Sequence, residues 1–119
     1  MGRGQGLRAS AAPQGGQEVK VAAYVPDLMD RSKVAAAAPE ATFVATPDEL
    51  ASLDADLVVL DLTRPGAVDV IPLVQARTLG FCRHTMGDVI AAAEAAGCDR
   101  VLVRSEFFAG LPDVLTQGR

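Results

Sequence analysis

From Glu18 onward, short apolar runs alternate with alanine-rich stretches of helical spacing. The runs Val19–Val25, Ala41–Ala45, Leu57–Asp61, Thr78–Phe81 and Arg100–Val103 are read as five strands. None of them alternates apolar with polar residues, which suits strands covered on both faces. Between them, Leu28–Ala38, Pro47–Leu53, Gly66–Gln75, Thr85–Ala96 and Glu106–Leu115 are read as helices. The punctuation supports this. Asp27 or Asp30 stands at the start of the first helix and Pro39 after its end. Thr46 precedes Pro47 at the second, and Thr85 with Asp88 makes a capping-box-like pair ahead of Gly97 at the fourth. Pro72 interrupts the third, and Pro112 leaves the fifth as one helix or two short turns.

A strand–helix unit repeated five times predicts an α/β fold: one doubly wound, five-stranded parallel sheet with helices on both faces. The leading strand order is the flavodoxin-like 2-1-3-4-5. Sites in such sheets lie beyond the carboxyl ends of the strands. In this chain those ends carry Asp27, Asp61, Cys82 to Thr85, and Arg104 with Ser105.

Composition sharpens the picture in three ways. Apart from Met1 and Leu7, the first 17 residues are Gly, Gln, Ala, Ser and Pro with Arg3 and Arg8 and no acid, so 1–17 is expected to be a disordered tail and 18–119 the folded domain. Gly2, Gly4 and Gly6 look like a phosphate loop but neither follow a strand nor open a helix. The net charge is −4; removing the +2 of Arg3 and Arg8 leaves −6 on 18–119, which argues against nucleic acid as partner. No apolar run approaches the roughly 18 residues of a membrane span, and Cys82 and Cys98 have no metal-type spacing. The expectation is a cytoplasmic protein with reduced thiols and no membrane contact.

The segment Asp56-Leu-Val-Val-Leu-Asp61-Leu-Thr-Arg-Pro65-Gly66 resembles the third strand and following loop of response-regulator receiver domains. Ala92-Ala-Glu-Ala-Ala-Gly97-Cys-Asp99-Arg-Val-Leu is similar to their fourth helix and fifth strand, and the likeness in order and spacing runs over about 100 residues. The resemblance implies that Asp61 is the phosphoryl acceptor. It also implies Mg²⁺ held by Asp61 and an acidic pair after the first strand, a hydroxyl after the fourth and a lysine after the fifth. A carboxylate nucleophile needs that metal to neutralise developing charge.

The chain departs from this pattern at several positions. After the first strand Asp27 is the one candidate ligand, and Asp30 follows a helical turn later. Cys82-Arg83-His84-Thr85 replaces the hydroxyl pattern, leaving Thr85 as its candidate, and Arg104-Ser105 replaces Lys-Pro. Each residue also has a plain structural role open to it. Asp27 and Thr85 suit helix caps, Asp61 a turn cap at Arg64 to Gly66, and His84 a surface loop. Cys82 and Cys98 suit the core, and Phe107 and Phe108 anchor a helix to the sheet.

The reading that follows is a pseudo-receiver: a non-catalytic regulatory or protein-interaction module, degenerate at the phosphorylation site. Its partner would be a protein, bound through the half from Thr85 to Leu115, with Arg83, Arg100, Arg104 and Phe108 as surface candidates; a homodimer through the same half is a variant. No cofactor is expected, and Mg²⁺ only if the site works. The alternatives are a functional stand-alone receiver phosphorylated on Asp61, and a small-molecule binder or enzyme using Asp27, Asp61, His84, Arg104 and Ser105.

Overall fold

The computed structural model describes residues 19–117. The tail expected over 1–17 lies outside the described residues. Five strands, β1 (Val21–Tyr24), β2 (Thr42–Phe43), β3 (Leu57–Asp61), β4 (Arg77–Cys82) and β5 (Arg100–Val103), form one sheet in the order β2-β1-β3-β4-β5. Every pairing is parallel. The expected 2-1-3-4-5 order is the one found.

Every residue of β1 and β3 is buried. Their side chains alternate between two cores, so both faces are apolar and the sequence shows no alternation. One core joins Ala22, Tyr24, Val58, Leu60 and Cys82 to Leu50, Ala67, Val70, Ile71 and Ala93. The other joins Val21, Ala23, Val25, Leu57, Val59, Leu79 and Phe81 to Val34, Phe107, Val114 and Leu115. Helices α1 (Leu28–Ala37), α4 (Arg104–Ala109) and α5 (Asp113–Gln117) cover the second face. Helices α2 (Ala67–Val70) and α3 (Gly87–Ala95), with a 3₁₀ turn at Pro47–Ser52, cover the first. With only 4% aromatic residues, the chain places Phe81 and Phe107 face to face at 4.5 Å between ring centres. That stacking adds about 0.5–1.5 kcal/mol to their burial.

Four helix expectations need correction. The segment Pro47–Leu53 is a 3₁₀ turn, Pro47–Ser52. Its entry is held by Glu49, whose carboxylate accepts the Thr46 N–H at 2.9 Å and the Thr46 hydroxyl at 3.1 Å. The segment Gly66–Gln75 is helical only over Ala67–Val70, then 3₁₀ over Ile71–Leu73. Pro72 has no N–H to continue an α-helix, and Gly66 enters at φ 84°, a left-handed conformation that other residues adopt only with strain. The fourth helix starts at Gly87, not Thr85, because Arg83 to Met86 closes a turn first: the Met86 N–H reaches the Arg83 carbonyl at 3.0 Å. Thr85 therefore caps nothing. The last segment is split, as Pro112 allows, but into two helices, and the first begins at Arg104 rather than Glu106, directly from β5.

Gly80 settles how the loop after β3 packs. A Cβ there would lie 2.5 Å from Leu62 Cδ1. Leu62, 3% exposed, therefore folds over β4 where only a glycine leaves room.

Candidate functional site

The carboxyl ends of β1, β3, β4 and β5 bring Asp27, Asp61, Arg83 to Thr85 and Arg104 to one end of the sheet. Asp27 is the N-cap of α1. Its Oδ1 accepts the N–H groups of Met29 at 2.9 Å and Asp30 at 3.0 Å. Those amides have no partner inside the helix, so the aspartate satisfies them.

Asp61 ends β3, directly across from Phe81 in the register, and is buried. Its Oδ1 accepts the backbone N–H of Thr63 at 3.0 Å and the Thr63 hydroxyl. Its Oδ2 lies 3.6 Å from Arg64 Nε. The turn it closes is thus the one at Thr63, with Arg64 as counter-charge. The dipeptide Thr63-Arg64 is the signal for it, a hydroxyl two residues after a strand-ending aspartate.

Arg104 is committed elsewhere. Its Nη1 and Nη2 donate to Asp30 Oδ2 and Oδ1, both at 2.7 Å, a fork-to-fork ion pair between the first turns of α4 and α1. The guanidinium also lies 5.0 Å from the Phe108 ring centre and 5.8 Å from that of Phe81. The Arg104 hydrogen bonds hold the Asp30 carboxyl below the usual carboxylate range, against the opposing effect of burial. In turn Asp30 raises Arg104, with Asp61 and Asp27 adding at longer range. Asp30 is the residue that sequence reasoning assigned only to a helix end. Its signal was the four-residue step to Val34, which puts both on the buried face of α1.

Five residues from the β4 and β5 ends converge. Arg83, His84, Thr85, Arg104 and Ser105, with Val103, line an open groove of about 220 Å³. The three residues that stand at the hydroxyl and lysine positions of the receiver pattern, Thr85, Arg104 and Ser105, are thus neighbours. The side chains of Arg83, His84, Thr85 and Ser105 make no hydrogen bond or ion pair with other described residues. Arg100 does not join them: it opens β5 at the opposite end of the sheet, paired with Leu79 rather than Cys82. Arg83, Arg100 and Arg104 therefore do not form one patch. Phe108 is half-buried, edge-on to Phe81 and Phe107, with Lys33 Nζ 5.1 Å from its ring centre.

The cysteines are core residues. Burial, then the nearby Asp61 charge, pushes the Cys82 thiol up, and burial pushes up Cys98. Among the described residues no three His, Cys, Asp or Glu side chains come together as a metal-binding group. Among them too, no helix is long and apolar enough to cross a membrane.

No family model matches the chain, and no curated protein matches it. Solved structures do. A response regulator from Hahella chejuensis superposes with a TM-score of 0.73 at 15% identity, over 85% of this chain and 95% of that one. A response regulator from Colwellia psychrerythraea gives 0.63 at 15% identity, over 85% and 96%. The isolated REC domain of RcsB from Salmonella enterica serovar Typhimurium, in its apo form, gives 0.63 at 12% identity, over 83% and 86%. Sheet order, helix placement and these superpositions agree: the chain has the flavodoxin-like fold of response-regulator receiver domains.

Proposed function

We propose that this chain is a receiver-like regulatory module that acts by binding another protein, and that Asp61 is structural rather than a phosphoryl acceptor. One observation carries the reading: Arg104, the cation at the end of β5, is held by Asp30 through two bonds of 2.7 Å. Asp30 thereby balances the charge that a cation serving a phosphoryl group on Asp61 would have to offer. The hydrogen bonds from Thr63 to Asp61 support the same reading, since they give the carboxylate a structural role in closing the turn.

The donor set does not suit Mg²⁺, which takes near-octahedral oxygen ligands at close range. Asp27 spends Oδ1 on two helix amides, and Arg64 stands beside the second oxygen of Asp61. The groove at the β4 and β5 ends, about 220 Å³, is below the roughly 300 Å³ at which small-molecule pockets begin, which weighs against an enzyme site there.

The test is intact mass after incubation with Mg²⁺ and acetyl phosphate, with Asp61→Asn beside it. The expected result is no adduct and no thermal shift on adding Mg²⁺. A phosphoryl adduct on the wild type, absent from Asp61→Asn, would overturn the reading in favour of a functional receiver.

A further inference from the structure

The groove at the carboxyl ends of β4 and β5 has a chemistry of its own. It is lined by two arginines, a histidine, two hydroxyl residues and Val103. Arg83, His84 and Thr85 are exposed, and like Ser105 they hold no side-chain partner among the described residues. No acidic residue lines it, in a domain whose residues 18–119 carry −6 once the +2 of Arg3 and Arg8 is taken from the −4 of the whole chain. Arg104 uses one N–H of each Nη on Asp30, which leaves its Nε–H and two outer N–H donors of a five-donor fork. The ion pair with Asp30 also fixes the orientation of that fork, so a ligand need not immobilise it.

The size and walls select the ligand further. A volume of about 220 Å³ falls short of the roughly 300 Å³ at which small-molecule pockets begin, which suits an inserted side chain better than a free ligand. Val103 and the methylene stems of the arginines offer apolar wall, while their heads offer charge. A glutamate side chain matches both parts, with two methylenes and one carboxylate. A bare inorganic anion uses only the second.

We infer that this groove seats an acidic side chain, of the glutamate class, from a segment of the partner protein, with the unpaired Arg83 as its counter-charge, the remaining N–H donors of Arg104 beside the carboxylate and Val103 under the stem. The inference rests on the reading of the chain as a protein-binding module and names the chemistry of what it binds.

The experiment is a titration of the ¹⁵N-labelled protein with a glutamate-rich hexapeptide and with its glutamine counterpart. Inorganic phosphate is titrated in a third arm. The expected result is saturable shifts at residues 83–85 and 103–105 with the glutamate peptide only. Arg83→Gln should weaken binding about three- to tenfold, and Arg83→Lys less. Arg83 is exposed and unpaired, so Arg83→Gln leaves the fold intact. Raising salt from 0.05 to 0.5 M should weaken binding further, as estimated from roughly 13 Å to 4 Å of screening length. Three outcomes would overturn the inference: equal response to the glutamine peptide, shifts elsewhere on the domain, or saturation by phosphate with none by the glutamate peptide. If the peptide fails and no phosphoryl adduct forms, this assignment falls while the surface-acting reading stands. An adduct on Asp61 removes that reading itself.

Discussion

Asp30 and Arg104 lie 74 positions apart and meet as a two-pronged ion pair, closing α1 onto α4 over the edge of the aromatic cluster. Asp30 is 4% exposed, whereas the Arg104 side chain retains 36% exposure. Removing one partner of a fully buried pair costs about 3–5 kcal/mol; with Arg104 this open to solvent, about 1–3 kcal/mol is expected for Asp30→Asn. Arg104→Lys should recover little, because an ammonium cannot make both bonds of the fork. Chemical denaturation of the three proteins at pH 7 checks this.

The same pair sets a pH dependence. The folded-state value of Asp30 is depressed, chiefly by its hydrogen bonds to Arg104. A depressed carboxylate contributes stability that is fully present above its unfolded value of about 3.9 and is lost as pH falls through the folded value. The stability gap between wild type and Asp30→Asn should therefore be level from pH 7 to about 5 and narrow below about 4. A gap that widens on acidification would contradict the assignment.

Asp61 and Thr63 should be coupled. Thr63→Ala removes the hydroxyl bonded to Asp61, Thr63→Ser keeps it, and Asp61→Asn weakens the acceptor. A double-mutant cycle should return about 0.5–2 kcal/mol of coupling, with Thr63→Ser close to wild type. Zero coupling would mean that Asp61 does not organise this turn.

Gly80 gives a steric prediction. A methyl at that position would meet Leu62 Cδ1 at 2.5 Å and Cγ at 2.8 Å. Gly80→Ala should cost about 1–3 kcal/mol by overpacking. Leu62→Ala should cost less in the Gly80→Ala background than alone, since the two side chains compete for one space. Thermal or urea unfolding of the four proteins measures the difference.

What the sequence revealed and what it hid divide by range. The doubly covered parallel sheet was legible in runs such as Leu57–Asp61, whose burial on both faces is a local pattern, and its order in the five-fold strand–helix repeat. Asp27 was legible as a cap because the amides it serves are two and three residues away. The Asp30–Arg104 pair was hidden because nothing within either segment names the other. Thr85 misled for a related reason: it has the composition of a cap, but the turn closed by Arg83 and Met86 moves the helix start past it. Arg100 belongs to the same half of the chain as Arg104, yet a strand spaces residues about 3.3 Å apart and carries it to the far end.

That far end has its own fastening, and it yields the last prediction. Thr78 near the start of β4 is 3% exposed. Asp99, just ahead of β5, accepts the Thr78 N–H at 2.8 Å and its hydroxyl at 3.2 Å; the Thr78 oxygen in turn accepts the Asp99 N–H at 2.9 Å. The hydroxyl is thus donor and acceptor at once, and it ties the entry of β4 to that of the edge strand β5. Valine has the shape of threonine without the oxygen, so Thr78→Val keeps the packing and strands the Asp99 amide. Leaving a buried donor unmatched costs about 1–3 kcal/mol. Thr78→Ser keeps the hydroxyl and should lose only the methyl contact. If the clasp holds the edge strand, Thr78→Val should also speed amide hydrogen exchange in Val101–Val103 more than in Leu57–Leu60, because β5 has one neighbour and β3 has two. Uniform acceleration across both strands would instead mean a loss of global stability with no special hold on the edge.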